Sequence, residues 1–367
     1  MKNLLNVCVG TFGWYIFGWG LAYGGPKNDK GQLANHFIGT RGFANDGFLK
    51  HGDGYVDPLN GEMTSPALSW FFQWAFCTAG ATIVSGGVAE RVKSPSYAVF
   101  AFVMAAFIYP VVAAWTWGGG WLNEVADVGY MDFAGSGIVH LTGGISALAG
   151  TVILGPRKGR FENPEEFEAH SLPLVVLGTF ILWLGWYGFN PGSTLAMHSR
   201  SLGALAAQIA MNTTLAAATG GITVFAFRYF LLRKYDVGGL CNGILAGLVS
   251  VTAGAANVEA GSAILIGIIG SFIYQGASML LVRLKIDDPV DAVPVHCFCG
   301  AWGVLAVPFF DWGEGFNHYN GWNSFDCMKN EDGTCMQNAV GKAIGAQVVS
   351  ISEPVQQGVL FSCFWAV

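Results

Sequence analysis

Apolar residues run through this chain in long blocks instead of alternating with polar ones. Stretches near 5–24, 67–88, 97–117, 133–154, 174–189, 202–230, 237–256, 261–284, 290–310 and 340–367 carry few charges and are separated by polar or Gly/Pro-containing joints. Blocks of this length predict membrane-crossing helices of about 20 residues, because the strands of a membrane barrel need only about 10. The expected fold is an all-α polytopic membrane protein with about ten spans.

Two blocks carry a second pattern. DFAGSGIVHLTGG (132–144) and DPVDAVPVHCFCG (288–300) each hold an Asp, a His eight residues later and a Gly four beyond that, so Asp132/His140/Gly144 is echoed by Asp288/His296/Gly300. They are the fourth and ninth blocks. Five spans apart, their helices run in opposite directions, as an inverted repeat requires. An ionisable group in hydrocarbon is costly, so it faces an internal path and finds a partner. His140 and His296 are therefore expected to meet near mid-membrane and share one proton, whereas His36, His51, His170, His198 and His318 fall in joints. Asp132 lies eight residues from His140, about 12 Å along a helix. That is too far for direct pairing, so Asp132 is expected to order the outer mouth near Trp117, and Asp288 to suit the N-terminus of its own helix on the other face.

Composition strengthens the membrane reading: 53% of residues are hydrophobic and 11% charged, against roughly 25% charged in soluble domains. Fifty-two glycines and thirteen tryptophans suit closely packed membrane helices with aromatic belts. The net charge of -6 matters less than its sidedness. Lys2, Arg91, Lys93, Arg157, Lys158, Arg160, Arg228, Arg233, Lys234, Arg283 and Lys285, eleven of eighteen basic residues, fall on one side, which the positive-inside rule assigns to the cytosol. Opposite lies the loop 25–66, with Asp29, Asp46, Asp53, Asp57 and Glu62, read as irregular structure over the outer face. The first apolar run has no cleavable-signal pattern. Six of eight cysteines lie in spans; Cys327 and Cys335 share one outer segment and are candidates for a local disulfide. Asn212-Thr213-Thr214 matches a glycosylation acceptor but sits inside a span.

Aromatic residues gather beside the histidine blocks. Phe72 and Phe76 share a helix face, Trp117 ends the third block, and Trp186, Phe189 and Ser193 fall at the outer end of the fifth. Ring faces attract a small cation, a serine hydroxyl adds a hydrogen bond, and phenylalanines deeper in strip hydration, which favours the neutral form of an amine. Together these elements describe a path for a small, hydrogen-bonding cation that sheds a proton. The competing chemistry is a metal site at His296-Cys297-Phe298-Cys299, but on a helix these positions fan around the axis and no second ligand set completes them. Nothing resembles a nucleophile with its base, a phosphate loop or a basic nucleic-acid surface. No enzymatic activity, cofactor or nucleic-acid partner is expected.

FFQWAF with TIVSGGVAER, DFAGSGIVH, GTFILWLGWYGFNPGS, CNGILAGLVSVTAG and DDPVDAVPVHCFCGAWGV follow one another across residues 4–310. In that order they resemble the ammonium transporter family, the Amt branch of the Amt and Rhesus proteins. The resemblance implies ammonium or methylammonium as substrate, a plasma-membrane homotrimer with one pore per protomer, and an inverted repeat of five helices. It divides a single membrane domain, 1–367, into a first repeat at about 1–154, a second at about 174–310 and part of a last helix at about 340–367. It implies an outer recruitment site at Trp117, Phe76 and Ser193 supported by Asp132, and a gate formed by Phe76 and Phe189 and approached past Phe72 and Tyr109. The pore lining it implies is Thr252, Trp186 and the twin histidines His140 and His296. Three departures accompany it. The family's first helix has no counterpart, Ser352-Glu353-Pro354 is expected to interrupt the last helix, and Cys297 stands where the family commonly has Gly. Transport is the leading expectation. An ammonium sensor acting through a partner, a non-functional partial chain and, last, a membrane metalloenzyme are the alternatives.

Overall fold

The computed structural model describes residues 2–28, 32–48, 66–311, 333–334 and 336–365, with side chains described only as far as 352 in the last helix. Among the described residues ten long helices follow in order: α1 (Lys2–Tyr23), α2 (Pro66–Gly87), α3 (Ser94–Trp115), α4 (Ser136–Leu154), α5 (Leu172–Phe189), α6 (Arg200–Leu232), α7 (Val237–Thr252), α8 (Ala260–Arg283), α9 (Val293–Phe310) and α10 (Ala339–Trp365). Eight are long and apolar enough to cross a membrane, and α7 and residues 339–352 of α10 are shorter apolar helices. Extended pairing among the described residues is limited to one isolated bridge, Lys27 to Leu33. The chain is an all-α, multi-pass membrane protein.

Local chemistry explains the helix ends. Ser199 and Asp236 cap α6 and α7 by accepting from the backbone N–H of Leu202 and Gly239, satisfying amides that the first turn leaves free. Gly155 ends α4 in a left-handed conformation (φ 70°), which costs a glycine nothing. Two starts fall later than the hydropathy blocks suggest, α4 at Ser136 and α9 at Val293, because the residues ahead of each are spent on carboxylate caps. The last helix differs from expectation: α10 continues through 352–354 to Trp365. A proline removes one hydrogen bond but need not end a helix that can bend around it.

Packing divides the helices around α4 and α9. Trp14, Phe76, Tyr109 and Ile138 anchor a buried cluster shared by α1 to α4, and Val224, Leu248, Tyr274 and Val295 anchor a second shared by α6 to α9, with Trp186 reaching in from α5. Helix α10 closes the back, where Gln347 accepts from the Met131 amide (3.1 Å) and donates to the carbonyls of Met131 (2.6 Å) and Val304 (3.1 Å). Helix α5 is peripheral, with Leu174, Leu177, Phe180, Ile181 and Leu184 facing outward.

On the basic side, Asp287 draws three joints together. It receives the Arg157 amide (2.9 Å) and guanidinium (2.8 and 3.0 Å), with Arg160 at 3.5 Å and Arg91 at 4.0 Å. Burial alone raises this carboxyl, but the Arg157 hydrogen bonds and charge outweigh it and hold it below the usual range.

Candidate functional site

The two patterned helices cross the molecule's centre antiparallel. Gly303 faces Ser136, Gly300 faces Ser136 and Leu141, and Gly144 faces Cys297, so positions rise along α4 as they fall along α9. The approach depends on missing side chains. A Cβ on Gly300 would lie 2.5 Å from the Ser136 carbonyl and 3.0 Å from the Leu141 amide, and one on Gly144 would strike the backbone of Cys297. In each helix the glycine one turn after the histidine thus packs on the residue that follows the other histidine. The rings stack at 5.1 Å and 18°, and Nδ1 of His296 lies 3.1 Å from Nδ1 of His140. Two Nδ1 atoms at that distance need one proton between them, so one ring donates and the other accepts. Nε2 of His140 is buried and has no hydrogen-bond partner among the described residues.

Both histidines sit in wide, π-helical turns, Ser136–Leu141 and Val293–Phe298, a local geometry frequent at functional sites. Each turn follows a capping acid. Asp132 accepts the amides of Gly135 (2.8 Å), Ser136 (2.9 Å), Gly137 (2.8 Å) and Ile138 (3.0 Å), and the Tyr130 hydroxyl at 3.1 Å. Its carboxylate is thereby committed to backbone. Asp288 accepts the amide of Val293 at 2.6 Å and, more distantly, that of Val290 at 3.4 Å.

A file of rings leads to the histidines. Trp117 meets Phe76 edge-on at 5.6 Å, Phe76 stacks on Phe189 at 4.1 Å and 19°, and Phe189 lies 5.4 Å from His140. Phe72 tilts against Phe76 at 4.8 Å, and Trp186 stacks on His140 at 5.2 Å. Trp117 is held by donating from Nε1 to the Asp132 carbonyl (2.8 Å), so the capping loop also aims the outermost ring. Trp186 donates to the Thr252 hydroxyl (3.0 Å), which in turn donates to the Leu248 carbonyl (2.7 Å). Thr252 therefore fixes a wall ring. Ser193, half-buried beside the file, donates to the Phe189 carbonyl at 2.8 Å. Tyr109 stands apart from these ring contacts: it is fully buried, packs edge-on against Trp14 at 6.2 Å, and its hydroxyl has no partner among the described residues.

Cys297 faces away from the histidine pair. Its side chain is buried with Leu141, Ala147, Leu281 and Val293, and Cys299 points to the Gly270 carbonyl at 3.4 Å, so the two thiols do not converge with His296. Among the described residues no set of three His, Cys, Asp or Glu gathers as metal ligands. Cys327 and Cys335 lie outside the described residues, as do Asp29, Asp53, Asp57, Glu62, His51 and His318. Sequence reasoning missed Tyr130, Gln347 and the wide turns. Tyr130 carried a signal, standing two residues before an acid already singled out.

The family model described as the Ammonium Transporter Family matches residues 1–355. The chain belongs to the ammonium transporter family. Among its relatives in that family, ammonium transporter Amt2 of Archaeoglobus fulgidus is 41% identical over 84% of this chain and 64% of its own length. A solved structure described as a sensor Amt protein superposes with TM-score 0.80 at 30% identity, covering 99% of this chain and 82% of that one. The crystal structure of Saccharomyces cerevisiae Mep2 superposes with TM-score 0.81 at 30% identity, over 98% and 77%. The chain spans about two thirds of the length of the curated relatives it matches.

Proposed function

We propose that this chain conducts ammonium across the membrane. The observation that carries the reading is the unbroken file from Trp117 through Phe76 and Phe189 to His140 and His296. Ammonium is drawn to the outer rings by cation–π attraction, worth about 0.5–2 kcal/mol depending on desolvation, with the Ser193 hydroxyl as a polar neighbour. Asp132 supports this mouth without touching the ion, since its carboxylate is occupied by four amides.

Between Phe76 and Phe189 the ion loses water, and its proton becomes easier to give up. The unpartnered Nε2 of His140 belongs to the ring that follows Phe189 in the file. A proton taken there can be matched by transfer across the Nδ1–Nδ1 bond, so the pair passes substrate onward as NH3 with its proton or as NH4+. Release is to the basic side, taken as the cytosol. Phe72 flanks the gate against Phe76, Tyr109 lies in the buried cluster behind it, Trp186 and Thr252 form the wall, and no enzymatic step is involved.

The antiparallel α4 and α9, each with cap, wide turn and matched glycine, support an inverted repeat at about 1–154 and 174–310. A homotrimer in the plasma membrane completes the proposal. Flux by the purified chain in sealed vesicles is the test: an imposed ammonium gradient should be dissipated faster than in protein-free vesicles. Saturable binding without added flux would sink transport and favour a sensor.

A further inference from the structure

At the basic ends of α6, α7 and α8, one guanidinium collects the start of α9. Arg228 donates from Nε to Gln275 Oε1 (2.6 Å), from Nη1 to Asp236 Oδ2 (2.6 Å) and from Nη2 to the Tyr274 hydroxyl (3.0 Å). Gly239 makes room for it, since a Cβ there would lie 2.6 Å from the Arg228 Cδ. Asn242 also donates to the Tyr274 hydroxyl, at 3.2 Å. With two donors upon it, that oxygen has both acceptor positions filled and its single proton must go elsewhere. It goes to Asp291 Oδ2 at 2.7 Å.

Asp291 is a non-glycine residue in the left-handed region (φ 58°), a conformation that persists only where its surroundings hold it. Tyr274 and Ser278 (3.1 Å) do so through the carboxylate. The Asp291 carbonyl then accepts the Val295 amide at 3.1 Å, immediately before His296. Tyr274 also packs in the buried cluster with Val295 and Trp186, whose ring stacks on His140.

We infer that Arg228 is a positioning residue for the second histidine: by fixing the direction of the Tyr274 hydrogen bond, it locks Asp291 in the conformation from which the His296 turn is built. The inference rests on the transport reading and deepens it, placing control of the pore's inner half in a charged network some residues removed from the path. Arg228 touches neither histidine.

The test uses the full chain in proteoliposomes, with labelled methylammonium as probe and flux normalised to reconstituted protein. Tyr274→Phe keeps every ion pair and removes only the hydroxyl; Arg228→Gln removes the donor; Arg228→Lys keeps charge opposite Asp236 but lacks the fork that reaches Tyr274 and Gln275 together. Each is expected to lower maximal flux about tenfold, the scale on which misplaced groups act, and to leave the half-saturating concentration within about twofold, since the outer rings are untouched. The double variant Arg228→Gln/Tyr274→Phe should be no slower than the slower single variant, because both act through one bond. Wild-type maximal flux in Tyr274→Phe, full rescue by Arg228→Lys, or additive losses in the double variant would overturn the inference. Absence of flux in the unaltered chain would instead overturn the transport reading.

Discussion

The outer and inner halves of the histidine pair are built from one pattern and secured by different means. On α4 a single carboxylate does everything: Asp132 gathers four consecutive amides and a phenol, and is 5% exposed. On α9 the task is divided. Asp288 caps with one close amide, while Asp291 anchors the turn through Tyr274 and Ser278. The difference teaches that a fixed Asp-to-His spacing does not fix an acid's role. The outer acid is a rigid keystone that also aims Trp117; the inner acid is one of two and stands nearer water.

The sharpest way to break this comparison is to remove each acid. Asp132→Ala leaves four amides without their acceptor, and at about 1–3 kcal/mol for each buried orphan, partly relieved by relaxation, should cost about 4 kcal/mol or more. Asp288→Ala loses an ordinary cap and should cost about 1–2 kcal/mol. Chemical or thermal unfolding of the purified variants ranks the two, and equal losses would erase the distinction.

Smaller effects are expected where the helices touch. Gly144→Ala drives a methyl into the Cys297 backbone, whereas Gly300→Ala meets the Ser136 carbonyl at 2.5 Å. Both overpack, at about 1–3 kcal/mol, with Gly144 at the upper end. A melting shift larger for Gly300→Ala than for Gly144→Ala would contradict the crossing described.

The smallest effect is a pH dependence at Asp288, whose carboxyl is pushed up to about 6 by burial. A folded value above the unfolded one means the folded chain holds this proton more tightly. Its stabilisation is present below about pH 4 and is lost as pH rises through about 6. Asp288→Asn should lack this loss, so its unfolding free energy should gain on the wild type between about pH 5 and 7, by about 1 kcal/mol. A difference between the two that stays constant from pH 5 to 7 would show that the inner acid ionises as easily as a free one.

Much of this arrangement was legible in the sequence because hydrophobic blocks set helix number and the paired histidines have few alternatives in hydrocarbon. His140, His296, Phe76, Phe189, Trp117 and Trp186, all singled out from the sequence, form one series of contacts. The wide turns were not legible, because hydropathy reports burial and is blind to one extra residue per turn. Nor was the Arg228 network, whose members come from four separate blocks and a joint and meet only after α6 to α9 pack. Thr252 shows a third limit: the family resemblance singled it out, but its bond to Trp186 depends on a rotamer.

The central claim is that ammonium passes by way of the shared proton of His140 and His296. Uptake of labelled methylammonium by cells lacking their own ammonium transporters tests it most directly, comparing the unaltered chain with His140→Ala/His296→Ala at matched surface levels. The account predicts uptake by the unaltered chain and its reduction to background in the double variant. Equal uptake by the two would contradict it.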